Sequence, residues 1–179
     1  MTGDAPPDFR LPPALVAEGF ALRRESEADI PFLEALYAST RAEELALAPW
    51  TEAQKGAFLR QQFDAQRRHY YAHFAACAFD VLECGGVRVG RLYLERRGRR
   101  LHIVDISLLP EWRRRGVGTR ILEALIDAGR REGRGVSIFV ERFNPALALY
   151  QRLGFAEVGD HGVYLEMERA YKPSRVDVS

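Results

Sequence analysis

Arg113-Arg114-Arg115-Gly116-Val117-Gly118-Thr119 is the stretch from which the fold is read. An apolar run at residues 101–109 leads into it, and Ile121, Leu122, Leu125 and Ile126 leave it at helical spacing, so the local order is strand, glycine turn, helix. The first N–H groups of such a helix have no internal partner and lie at the positive end of its dipole, which suits them to a phosphate. Glycines at 116 and 118 let an anion approach the main chain, and the three arginines add fixed charge and further donors. The stretch reads as a cradle for a pyrophosphate.

Two other phosphate-binding turns fit less well. A Walker A loop ends in Gly-Lys-Ser/Thr, which does not occur here. A dinucleotide fingerprint requires a small residue where Ile121 stands, and no acidic ribose partner follows at the expected distance. A second stretch, after the short apolar strand at residues 136–140, narrows the choice: Asn144-Pro145-Ala146-Leu147-Ala148-Leu149-Tyr150-Gln151-Arg152-Leu153-Gly154-Phe155. Asn144 is a good N-cap, Pro145 suits the first helical position, and Gly154 can end the helix in a left-handed conformation. Arg113, Gly116 and Gly118 match Arg/Gln-x-x-Gly-x-Gly/Ala, which resembles the coenzyme A pyrophosphate motif of the GNAT superfamily of N-acetyltransferases. The second stretch is similar to that superfamily's pattern Asn-Pro-Ala-x-x-Leu-Tyr-x-x-Leu-Gly-Phe, and the two motifs stand in the expected order with one helix and one strand between them.

Composition limits the rest. With 179 residues and 47% hydrophobic content the chain can bury one substantial core, and nothing marks a second domain. A net charge of +1 gives no global field favouring nucleic acid or an anionic membrane, so charge recognition must be local. Cys77 and Cys84 form neither a Cys-x-x-Cys metal pair nor a secreted disulfide pattern, so no metal site is expected and a reducing cytoplasm is the natural compartment. No export signal or membrane-spanning run is read in the sequence.

Taken in order, residues 1–17 hold four prolines and no sustained period, which predicts a flexible leader, loosely attached and packed only in part. Residues 20–24 alternate as a first strand, and residues 25–29 open a helix with Ile30, Leu33, Leu36 and Tyr37 on one face. A polar segment at residues 41–44 is expected to follow that helix. Thr51-Glu52-Ala53-Gln54 is a capping box for a second helix bearing Phe58, Leu59, Gln62 and Phe63. Its basic, aromatic end at residues 66–71 reads as a solvated helix end with tyrosines on the core in preference to a nucleic-acid contact. Strands at 79–83 and 87–94 flank Gly85-Gly86 as a hairpin, and the arginines around Gly98 read as a solvated tip. Strands at 156–160 and 162–167 close the domain, which is placed at residues 18–169, with a tail at 170–179.

The resemblance implies an α/β fold: a mixed, mostly antiparallel central sheet with helices on both faces. It implies acetyl-CoA as cosubstrate, with the pyrophosphate on Arg113, Arg114, Arg115, Gly116, Val117, Gly118 and Thr119. Main chain near Ile106 and Leu108 would pair with the pantetheine amides, and Asn144 would contact the same arm. Tyr150 falls where the family sets a hydroxyl beside the sulfur, as general acid; the competing reading makes it one member of an apolar stripe with Ala146, Leu149 and Leu153. His102 falls where histone-type members carry a glutamate base, while Asp105 and Glu141 compete for that role. The implied function is transfer of an acetyl group to a primary amine of a small molecule or protein, by a chain that can also form a homodimer. A non-catalytic acyl-CoA sensor and a nucleic-acid module are the alternatives.

Overall fold

The computed structural model describes residues 5–173. Seven strands form one sheet in the order β1-β2-β3-β4-β5-β7-β6. These are β1 (Phe20–Arg24), β2 (Ala78–Cys84), β3 (Val87–Arg97), β4 (Arg100–Leu108), β5 (Gly135–Glu141), β6 (Ala156–His161) and β7 (Tyr164–Arg169). Among the described residues only β4 and β5 pair in parallel, as the helical crossover between them requires. The helices are α1 (Pro13–Ala17), α2 (Ile30–Ala46), α3 (Glu52–His73), α4 (Val117–Arg131) and α5 (Leu147–Arg152).

Strand alternation divides the core between the two sheet faces. On β2, Leu82 joins the main cluster, in which Val117, Ile121, Leu122 and Leu125 of α4 pack on Leu92, Leu94, Leu101, Ile103, Val136 and Ile138. Its neighbour Val81 points the other way and packs with Leu33 and Tyr37 of α2 and Phe63 of α3. The expected mixed sheet, mostly antiparallel with helices on both faces, is what the chain forms. The capping box is present, with Gln54 N donating to Thr51 Oγ1 and Thr51 N to Gln54 Oε1.

Several local readings change. Residues 5–17 are not a loose leader: Leu11 and Leu15 are buried in the main cluster, and α1 carries Leu15 there. Phe9 packs beside them and Arg96 Nη1 donates to Ala5 O and Pro6 O, which docks a segment whose prolines concealed any period. The segment at residues 41–44 belongs to α2, which runs to Ala46. The arginines near Gly98 are not simply solvated, because Arg96 pairs with Glu132 and Arg100 with Glu166 and Glu168. The strands of the last hairpin end at His161 and Arg169. Of the expected tail, residues 174–179 lie outside the described residues. Among the described residues no helix is long and apolar enough to cross a membrane.

Candidate active site

The β4–β5 ladder ends at Ile103 and Ile138, although β4 continues to Leu108 and β5 to Glu141. A bulge explains the divergence: Tyr93 faces Asp105 and Leu94 faces Ile103, so Val104 is an extra residue that bends β4. Beyond it the two strands separate, and backbone groups that would have paired across the sheet are left for another partner. Ile106 and Leu108 lie on this diverging arm.

The glycine turn follows directly. Gly116 takes the left-handed conformation (φ 77°) as N-cap of α4, and no side chain caps the helix. The first internal bond is Arg120 N to Gly116 O at 3.0 Å, so the amides of Val117, Gly118 and Thr119 precede the helical ladder. Gly118 has ordinary helical geometry, and a Cβ there would meet only Leu108 Cδ1 at 4.0 Å. Among the described residues nothing requires glycine at 118. Arg114 and Arg115 are exposed at the turn, with the Arg115 guanidinium 5.3 Å from the Trp112 ring centroid.

Arg113 is placed differently from the expectation. Its Nε donates to Leu108 O at 2.8 Å and its Nη2 to Ser39 Oγ at 3.0 Å, so the guanidinium ties α2 to the end of β4. Fixed charge at the mouth of the turn falls to Arg114 and Arg115. The Leu108 carbonyl, already accepting from Arg113, has one lone pair left.

Tyr150 is held by the way α5 ends. Gly154 N donates to Gln151 O and Phe155 N to Tyr150 O, each at 3.0 Å, with Gly154 left-handed (φ 83°). This is a Schellman ending, and its usual apolar contact is the edge-to-face pair of Tyr150 and Phe155 at 5.6 Å. The helix starts at Leu147, later than the motif implied, yet Asn144 still caps the turn before it, accepting from Ala146 N at 2.8 Å. Tyr150 is 5% exposed, and among the described residues its hydroxyl has no hydrogen-bond partner. Burial raises its pKa, and the nearby Asp105 carboxylate adds to the effect, so the phenol keeps its proton at any physiological pH.

His102 is not placed as a base. Its ring is 3% exposed, with Nδ1 2.9 Å from Ser137 Oγ and Phe139 edge-on at 5.5 Å. Burial, then Arg97 and Arg100, push its pKa down to about 3. An imidazole of such low proton affinity stays neutral and cannot usefully take a proton from an amine. Asp105 is braced: Tyr70 Oη and Arg91 Nη2 donate to its Oδ2 at 3.0 and 2.7 Å, and Ser107 Oγ donates to Oδ1 at 2.6 Å. Arg91 is itself buried, so the pair neutralises two charges where α3 meets β3 and β4. Sequence showed that Asp105 needed a partner but could not name Tyr70 or Arg91. At the end of β5, Glu141 pairs with Arg41 of α2 at 3.1 Å. That bridge was not anticipated.

A family profile described as the acetyltransferase (GNAT) family matches residues 34–155. The chain is 37% identical over 81 residues to an N-alpha-acetyltransferase of Saccharolobus solfataricus, covering 43% of this chain and 48% of that protein. It is likewise 37% identical over 60 residues to an N-alpha-acetyltransferase of Sulfurisphaera tokodaii, covering 32% and 36%. The matched segments thus span less than half the length of these curated relatives. In fold it is similar to the PaiA N-acetyltransferase of Thermoplasma acidophilum in complex with coenzyme A, with TM-score 0.64 and 16% identity over 85% of this chain and 99% of that one. It is also similar to the ribosomal-protein-S18-alanine N-acetyltransferase of Escherichia coli, with TM-score 0.57 and 19% identity over 89% and 99%. Because the profile covers more than half of the chain and includes the strand, turn and helix that build the cradle, the chain belongs to the acetyltransferase (GNAT) family.

Proposed function

We propose that the chain moves the acetyl group of acetyl-CoA to the α-amine at a protein N-terminus. The cradle fits the donor: Val117, Gly118 and Thr119 offer uncapped amides, Gly118 leaves room, and Arg114 and Arg115 supply charge. The diverging arms of β4 and β5 offer main-chain groups to the pantetheine amides, and Asn144 stands at the start of the turn leading to Tyr150. When bound, acetyl-CoA supplies an activated acyl group as a thioester. Tyr150 Oη keeps its proton available for the departing thiolate, and the rigid ending of α5 holds that oxygen in place.

The observation that carries the choice of acceptor is the state of His102. A lysine amine near pKa 10.4 is neutral about one time in 2,500 at pH 7, a deficit of about 4.6 kcal/mol, whereas an α-amine near 7.8 lacks only about 1. With His102 held neutral at a pKa of about 3 and Asp105 engaged by three donors, the site favours an acceptor that deprotonates easily. Similarity to two N-alpha-acetyltransferases supports the same class.

The test is thiol release from acetyl-CoA by purified protein with three acceptor sets: free N-terminal peptides, N-terminally blocked lysine peptides, and small primary amines. Turnover concentrated in the first set is expected. Turnover confined to either of the others would refute the α-amine reading.

A further inference from the structure

Where β5 ends, a cavity of about 240 Å³ is lined by Glu141, Arg142, Phe143, Gly162 and Val163. Phe143 is 92% exposed and Val163 67%, so an acid and two uncovered apolar side chains border one hollow. The chain then turns back, with Asn144 N donating to Glu141 O at 2.9 Å, and enters α5 and Tyr150. Glu141 therefore stands at the end of the diverging strand β5, beside a cavity that Arg142, itself paired with Asp160, also lines.

On its other side is Arg41. Its Nη2 is 3.1 Å from Glu141 Oε1, and its Nη1 is 3.2 Å from Glu44 Oε2 on the same helix. The guanidinium also lies 5.9 Å from the Tyr37 ring centroid. Arg41 thus has two carboxylate partners, one of which remains if the other is taken. Replacing one cation by another at Glu141 leaves the carboxylate paired while Arg41 keeps Glu44, so the arriving ammonium cancels the cluster's excess negative charge and no charge is left alone.

We propose that Glu141 receives the acceptor's ammonium group, that Arg41 holds this carboxylate until then and falls back onto Glu44, and that Phe143 and Val163 take an apolar side chain beside the amine. The inference rests on the α-amine reading for its choice of acceptor, and the exchange itself applies to any primary ammonium. Arg41 competes with the acceptor, so its removal and that of Glu141 act in opposite directions.

The probes are two free-amine peptides that differ only in a first residue of leucine or serine, assayed with acetyl-CoA and protein whose thermal midpoint is checked. Glu141→Gln should raise the peptide KM about fivefold, the scale of a partly exposed charge pair. Arg41→Gln should lower it, and Glu44→Gln should raise it modestly because Glu141 is then the one carboxylate left to Arg41. The KM for acetyl-CoA should not move, and Phe143→Ser should erase the preference for leucine over serine. Shifts of the same sign for Glu141→Gln and Arg41→Gln, or no shift in either, overturn the proposal; Arg41→Met replaces the Gln variant if that one does not fold. If the wild type acetylates small amines and no peptide, only the α-amine reading falls, and the same variants assayed with that amine decide the exchange by the same signs.

Discussion

Around Asp29 and Glu25, where α2 and α3 meet β1 to β3, the carboxylate oxygens are met from several sides. Arg23 donates twice to Asp29 at 2.8 Å, Arg88 at 2.6 Å and Ser26 N at 2.8 Å, while Glu25 takes Arg67, Tyr71 and Tyr93. At the β4–β5 split the pattern reverses: α4 begins without a side-chain cap, the strands stop pairing, and the Tyr150 hydroxyl has no partner among the described residues. A polar group with all its bonds made within the chain holds structure together, whereas one left without is available to a ligand. His102 has its Nδ1 engaged by Ser137, a partner that sequence did not name.

The contrast is tested most severely at Tyr150. Tyr150→Phe keeps the edge-to-face packing on Phe155 and removes only the proton, so kcat should fall about 10²- to 10⁴-fold with acetyl-CoA affinity kept. Wild-type turnover in this variant would return the residue to the core. On the structural side, Asp29→Ala leaves Arg23 and Arg88 without their shared partner and should lose about 3–5 kcal/mol in urea unfolding. The Arg23 hydrogen bonds hold the Asp29 pKa well below the usual carboxylate range, so this stabilisation is complete above that range and fades as pH falls through the folded-state value. A stability curve that is the same in mutant and wild type at neutral pH would refute the role.

Gly118→Val fills the space at the cradle and should weaken acetyl-CoA in calorimetry by about 1–3 kcal/mol while the fold persists. Unchanged affinity would place the phosphates elsewhere. Charge comes next. Arg115→Ala should weaken coenzyme A by up to about 1 kcal/mol and leave a pantetheine fragment unaffected, whereas Arg113→Ala, which frees Leu108 O and Ser39, should change both ligands alike. The smallest effect is expected at His102: His102→Gln should lose about 1 kcal/mol of stability with its Ser137 bond and keep the kcat and pH profile of the parent. A lost limb in the pH profile would restore it to the reaction.

What the sequence determined by itself was whatever is written in neighbouring residues. The strand, glycine turn and helix around Gly116, the capping box at Thr51 and the glycine ending at Gly154 each depend on a few consecutive positions, and each formed, whereas Asn144 caps only the turn before α5, which starts at Leu147. Periodicity and capping are local physics, so two such motifs in order were enough to read the fold. What only the tertiary structure decided were the partners that folding brings together from distant segments. Leu15 reached the core, Arg113 turned to Ser39 across 74 positions, Asp105 met Tyr70 across 35, and Arg41 closed on Glu141. A side chain's charge state and availability follow from such neighbours and from burial. Only the folded chain could therefore show the His102 ring buried beside Ser137 and Phe139, and the Tyr150 hydroxyl without a hydrogen-bond partner among the described residues.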